Sequence, residues 1–247
     1  MRAIVGKNVA RRAKRGREAD PRVVRSRAAV IDAARTLFME QGYAGTTMED
    51  IAHRAGLTKR TLYNNYADKE ALFRLIVSDV ITVAEAFARE LRAELATGIT
   101  TPNLRDKLHD VAARMAARIV RMQVISLRRL LVGESRLFPE LAQEYFDRAP
   151  GQVLGVLAES FEGLMRAGIL RAAPSLDAPR VAAQFAYLVV GETLDRAILT
   201  GIVPSEDEAR ACAHDGVETF LARNGAGYSS SATRRSRRRK NGSTSSV

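Results

Sequence analysis

The sequence predicts an all-α protein, and three observations lead there. Through almost the whole middle of the chain apolar residues recur at spacings of three and four, with no sustained alternation of period two. Gly and Pro fall between these periodic segments, at Gly42, Gly56, Gly98, Pro102, Gly133, Pro139, Pro150, Gly168 with Pro174, and Gly201 with Pro204, the places where helices stop and restart. Several segments also open on a Thr or Asp able to accept from the first unpaired helical N–H groups, namely Asp20, Thr47, Thr58 and Asp68. No repeat of fixed period interrupts this pattern.

The first helix is expected from Asp20-Pro21, with Asp20 as cap and Pro21 at the first helical position, where a missing N–H costs nothing. Its apolar face runs Val23, Val24, Ala28, Ile31, Ala34, Leu37 and Phe38, and Gly42 ends it, leaving Tyr43 to fold back on the last turn. In the second, Thr47 caps and Asp50 can answer from three residues on, a capping-box arrangement, with the end near Arg54 and a turn at Ala55-Gly56. Thr58 caps the third. Asp68 caps a fourth, whose stripe Leu72, Ile76, Val80, Val83 or Ala84, Phe87, Leu91, Leu95 runs to Thr97-Gly98, about 28 residues or about 42 Å at ~1.5 Å per residue. A fifth carries Leu104, Leu108, Val111, Met115, Ile119 and Met122, and further helices are expected at 124–134, 138–148, 151–167, 178–200 and 205–223.

Composition fixes the broad class. A chain of 247 residues with 46% apolar content can bury one large core or two modest ones. The longest apolar runs, such as Phe185 to Val190, fall short of the ~18 residues of a membrane span, and no secretory leader is read at the N-terminus, so a soluble protein is expected. Cys212 is the lone cysteine, which excludes an intramolecular disulfide and suits a reducing cytoplasm. The net charge of +11 is uneven: residues 1–27 hold ten Lys/Arg against two acids, and residues 223–247 hold seven against none. Residues 1–19 and 224–247 are expected to be disordered basic arms around a mildly acidic middle; cationic arms point to a polyanion, with a pair of solvated tails as the other reading.

The third helix carries the chemistry. At about 100° per residue Leu62 and Tyr66 share one arc, which must be the buried one. Arg60, Thr61 and Asn64 lie opposite, with Lys59 and Tyr63 on the flank. A short helix, a Gly-containing turn and a second short helix with a donor-rich outer face is the layout of a helix-turn-helix. Arg can fork onto guanine, Asn can pair with adenine, and Thr offers a hydroxyl and a methyl. Thr47, Tyr63, Asn65 and Lys69 sit at helix starts or flanks, suited to phosphates.

Residues 24–76, through AARTLFMEQGYAGTTMEDIAHRAGLTKRTLYNNYADKEALF, resemble the TetR family of bacterial transcriptional regulators. The likeness rests on Gly42-Tyr43, Thr46-Thr47, Asp50-Ile51-Ala52, Ala55-Gly56-Leu57, Thr61-Leu62-Tyr63 and Lys69-Glu70-Ala71-Leu72. It implies that Lys59, Arg60 and Thr61 face base edges and that Thr47, Tyr63, Asn65 and Lys69 contact phosphates. Arg60 stands where many members carry a small residue or proline, and Asn64-Asn65 replace an aromatic or histidine. The operator therefore does not carry over from a relative.

Downstream, SRLFPELAQEYFDRAP, LMRAGIL and LVVGETLDRAILTG resemble an AefR-like C-terminal domain. The resemblance implies residues 20–67 as a DNA-binding domain, joined by the long helix to an effector-binding and dimerisation domain over 68–223. Val181, Phe185, Leu188 and Glu192 form a stripe expected at the dimer contact, with Gly191 allowing close backbone approach; intramolecular core is the other reading. Met115, Ile119 and Met122 are candidates for a ligand pocket, with ordinary core as the alternative. His53, His109 and His214 are scattered and are read as surface or structural residues without metal-ligand spacing. No nucleophile elbow, phosphate loop or dinucleotide fingerprint is present, so neither an enzyme, a catalytic residue, a metal nor a cofactor is expected.

The expected partners are a double-stranded DNA operator, a second copy of the chain and an unidentified small-molecule effector, with no membrane. The expected protein is a cytoplasmic, ligand-responsive repressor that binds a palindromic operator as a homodimer. A non-specific architectural DNA binder driven by the cationic arms is the alternative, marked by a steep salt dependence without sequence preference.

Overall fold

The computed structural model describes residues 21–96 and 98–225. The two basic arms, with the Asp20 cap, lie outside these residues, apart from Asn224 and Gly225 at the edge of the C-terminal one. The chain forms two compact units: one holds the residues up to Val80 together with Leu130–Ala142, the other Ile81–Arg129 together with the residues from Gln143 onward. The first therefore runs past the boundary expected near residue 67 and recruits a short segment from much later in the chain.

In the first unit, α1 (Pro21–Gly45), α2 (Met48–Arg54) and α3 (Lys59–Asn65) precede the start of α4 (Lys69–Leu95). Helix α1 buries Val30, Ala33, Ala34, Leu37 and Phe38, while Val23 and Val24, expected on the same face, are exposed. Its regular geometry breaks at Gly42, whose φ of 72° and ψ of 173° suit a residue without Cβ. The break turns Tyr43 back, as expected, to stack on Phe38 with ring centroids 5.7 Å apart. Phe73 of α4 and Phe138 complete a four-ring cluster, with Tyr43 and Phe138 edge-to-face at 4.8 Å.

The expected caps form. Thr47 Oγ1 accepts from Asp50 N (3.1 Å) and Asp50 Oδ2 accepts from Thr47 N (3.2 Å), closing the capping box of α2. Thr58 Oγ1 accepts from Thr61 N at 3.2 Å, and Asp68 Oδ1 from Ala71 N at 2.7 Å. Each satisfies a donor that the first helical turn leaves without a carbonyl.

The second unit contains the rest of α4, then α5 (Leu104–Ile119), part of α6 (Met122–Glu134), part of α7 (Pro139–Arg148), α8 (Pro150–Arg166), α9 (Ala178–Thr200) and α10 (Glu206–Asn224). Its core centres on Phe161, Phe185 and Phe220, whose ring centroids lie 5.1 to 5.5 Å apart. Helix α5 stops at Ile119 rather than continuing through Met122. Arg121 Nε donates to Ala117 O at 2.6 Å, the carbonyl that a continued helix would offer to the N–H of residue 121. Met122 consequently opens α6 and stands 54% exposed, whereas Met115 is buried in the core. The pocket stripe of Met115, Ile119 and Met122 is thus not one surface.

The dimer stripe also needs correction. Val181 and Phe185 are fully buried in the core of their own unit, so they cannot meet a second copy; Leu188 and Glu192 remain exposed. Within the chain the close backbone approach falls at Gly216 of α10 rather than at Gly191. A Cβ on Gly216 would lie 2.4 Å from Leu188 O and 2.9 Å from Val189 N of α9, while one on Gly191 would meet only Tyr187 side-chain atoms, the nearest at 3.4 Å.

Gly216→Ala should therefore force α9 and α10 apart. Overpacking of this kind costs about 1–3 kcal/mol, or roughly 2–12 °C in Tm for a chain of this size. Gly163→Ala in α8, where a Cβ meets nothing within 4 Å, should instead leave Tm unchanged or raise it, since Ala is the better helix former. Thermal denaturation of the two variants checks both.

Candidate nucleic-acid interface

The angle between α2 and α3 is set by a hydrogen-bonded helix end. Gly56 adopts φ +67°, Gly56 N donates to His53 O at 3.1 Å, and Leu57 N donates to Ala52 O at 2.9 Å. This paired closure is a Schellman motif, and the left-handed residue at its centre favours glycine. Thr58 then restarts the chain as the α3 cap.

Helix α3 is anchored on one side only. Leu62 is fully buried and Tyr66, at the C-cap, is half-buried; burial is the main cause that raises the Tyr66 hydroxyl above its ordinary pKa. Arg60, Tyr63, Asn64 and Asn65 are exposed. Leu62 and Tyr66 take the inner side as expected, whereas Thr61, expected opposite them, is half-buried and bonded to Thr58.

Several outward groups are already engaged. Lys59 pairs with Glu49 of α2, which raises the lysine pKa and lowers the carboxyl's, chiefly through their hydrogen bond. Lys59 Nζ also lies 5.8 Å from the Tyr63 ring centroid. Thr61 Oγ1 shares a 2.8 Å hydrogen bond with Thr58 Oγ1. Asn65 Nδ2 donates to Thr61 O at 2.8 Å, and the Thr47 hydroxyl donates to Asp50 Oδ2 at 2.6 Å. Lys59 and Thr61 are thus oriented by their neighbours at the start of α3, with Arg60 between them projecting outward.

Lys69 is placed differently from a phosphate grip. Its ammonium donates to Tyr43 O at 2.7 Å and Thr46 O at 2.8 Å, and sits 4.3 Å from the Tyr43 ring centroid. These contacts hold the start of α4 against the α1–α2 connection. Two residues absent from the sequence expectations join the same locus: Glu134 Oε1 accepts from Tyr43 N at 3.1 Å, and Phe138 packs on Tyr43 and Phe73. Their signal lay in the Gly42-Tyr43 break, which frees an N–H that a continuous helix would have bonded.

The histidines also correct the sequence expectation. Glu218 stands four residues after His214 on α10, a carboxylate partner at helical spacing, and His109 packs against both. The Glu218 carboxyl is held below the usual carboxylate range, first by its hydrogen bond with His109 and then by that with Arg105. Only the folded chain joins residue 109 to 214 and 218.

Short α2, a Schellman turn and an α3 anchored by one face define the class, a helix-turn-helix DNA-binding protein built on an all-α scaffold. Residues 30–76 match the family described as bacterial regulatory proteins, tetR family, and residues 106–226 match the AefR-like transcriptional repressor C-terminal domain. A TetR-family transcriptional regulator from Mesorhizobium loti MAFF303099 has a similar structure, with a TM-score of 0.67 and 27% identity over 82% of this chain and 98% of that one. The flavonoid-responsive regulator FrrA has a TM-score of 0.56 and is 30% identical over 81% of this chain and 97% of its own. The biofilm operon icaADBC HTH-type negative transcriptional regulator IcaR of Staphylococcus epidermidis is 44% identical over 50 residues, 20% of this chain and 27% of IcaR. This chain therefore spans only about a quarter of that curated relative. The chain belongs to the TetR family of transcriptional regulators and carries that family's helix-turn-helix domain. Among the described residues no helix is long and apolar enough to cross a membrane.

Lys69→Met should destabilise the first unit by removing two charge-assisted hydrogen bonds, at about 1.5–3 kcal/mol for each such bond at most. The measurement is chemical denaturation followed by tyrosine fluorescence. A Lys69→Met protein as stable as the parent, with DNA binding alone weakened, would return Lys69 to the phosphate contacts.

Proposed function

We propose that this regulator is a ligand-responsive repressor that binds a palindromic operator as a homodimer, placing α3 of each protomer in the major groove. The observation that carries the proposal is the exposed face of α3, where Arg60 makes no hydrogen bond or ion pair among the described residues. Arg60 and Asn64 are assigned to base edges, with Lys59 and Thr61 beside them, and Thr47, Tyr63 and Asn65 to phosphates. Lys69 is assigned to positioning.

Repression is favoured by the name of IcaR, a negative regulator, and a response to small molecules by that of FrrA, which is flavonoid-responsive. Neither name fixes the effector here. For the dimer, α9 offers an exposed face with Tyr187 (68% exposed), Leu188 and Leu199 (74% exposed), flanked by Glu192, which pairs with Arg196 at 3.3 Å. Such apolar exposure suits contact with a second copy. An effector that binds better to the form unsuited to the operator would shift the population away from DNA. Residues Leu130–Ala142, from the region matching the AefR-like domain, belong to the first unit, where Glu134 and Phe138 contact Tyr43.

A selection of bound sequences from random DNA should enrich a palindrome. With Arg60→Ala the preference should relax at the matching base pairs, at a cost of about 1–3 kcal/mol. If no palindrome is enriched with the parent protein, the repressor assignment falls.

A Tyr187→Glu, Leu188→Glu double variant should sediment as a monomer and lose operator affinity. Retention of the dimer would move the interface off this face of α9.

A further inference from the structure

In the second unit, three side chains able to ligate a metal converge from separate parts of the chain. His214 and Glu218 are four residues apart on α10 and so project from one face, and His109 reaches them from α5. One ligating atom of each lies within 4.8 Å of the others. His109 Nε2 is 2.9 Å from Glu218 Oε1, and the two imidazoles stack with ring centroids 4.6 Å apart at 27°. We propose that His109, His214 and Glu218 bind a divalent transition-metal ion of the Zn²⁺ or Ni²⁺ class, tying α5 to α10.

The donor set selects the class of ion. Two imidazoles and one carboxylate suit zinc, nickel or copper and not magnesium or calcium, which take oxygen ligands. Three protein ligands with a position left for water is the composition of an open zinc site. Two atoms each about 2.0–2.2 Å from one zinc ion stand roughly 3.3–3.6 Å apart in tetrahedral geometry, so binding requires the ligating atoms, now within 4.8 Å of one another, to draw together and the two stacked imidazoles to turn their ring nitrogens toward one ion. Asp215 Oδ1 lies 3.5 Å from His214 Nδ1, the place of an outer carboxylate that orients a ligating imidazole. His214 is largely exposed, His109 and Glu218 are partly buried, and the ion can enter from the α10 side.

One group opposes the ion. Arg105 pairs with Glu218, and its guanidinium competes for the same carboxylate. A site that is only an Arg105–Glu218–His109 ion-pair network would be indifferent to metal. A true metal site should bind more tightly when the guanidinium is removed.

The test uses the full chain, free of affinity tags and stripped with chelator, titrated with ZnCl₂ by calorimetry and with CoCl₂ by visible absorption. The expected result is one ion per chain, with visible Co²⁺ bands of a four- or five-coordinate site. His214→Ala, at an exposed position that leaves the helical circular dichroism unchanged, should weaken binding by on the order of 10–100-fold or more, since even outer-shell losses reach that range. Arg105→Gln should strengthen it, and His53→Ala should not change it. Absence of stoichiometric binding, or binding unaffected by His214→Ala, overturns the proposal. The readout is metal binding alone, so neither result depends on whether the protein represses transcription.

Discussion

The first unit depends on how the chain leaves α1. At Gly42 the backbone takes a positive φ, and Tyr43 is turned out of the helical path. That one residue then meets five neighbours. Its N–H goes to Glu134, its carbonyl to the Lys69 ammonium, its ring to Phe38, Phe73 and Phe138, and the same ammonium lies over the ring. Burial is the leading cause that raises the Tyr43 hydroxyl above its ordinary pKa, followed by Glu70, Asp68 and Glu134. The helices that follow are oriented from this point. Without the turn, α2 would not start where Thr47 can cap it, and the base of α4 would lack the two carbonyls that hold Lys69.

The local layer of this architecture was legible because its interactions span few residues. Thr47 with Asp50, Thr58 with Thr61, and Asp68 with Ala71 are hydrogen bonds over three positions, and side-chain type at that spacing is enough to name them. The anchoring of α3 by Leu62 follows from helical geometry in the same way. The Ala55-Gly56 turn was readable because a left-handed position leaves few residues to choose from.

Longer-range features were not legible, each for a definite reason. Val181 and Phe185 make an apolar stripe that reads the same whether a second copy or the protomer's own helices cover it, and Phe161 and Phe220 cover it here. Lys69 looks like any cation near a helix start, and only the approach of two carbonyls shows where its charge is spent. The end of α5 turns on the side chain of Arg121 taking a carbonyl, which hydrophobic periodicity does not register. His109, His214 and Glu218 are joined by packing alone, and Gly216 matters because a neighbouring backbone passes within reach of an absent Cβ.

The pair formed by Lys59 and Glu49 has a kinetic meaning for a protein that must search long stretches of DNA. A carboxylate standing beside the reading helix acts as a resident counter-ion, so meeting a phosphate is an exchange of one anion for another and not a simple gain of attraction. In the proposed complex the exchange would lower adhesion to arbitrary sequence, and Arg60 and Asn64, which do not pair with Glu49, would keep their base contacts free of it. Glu49 would act there as a clutch, released from Lys59 only where another anion or a base edge takes its place.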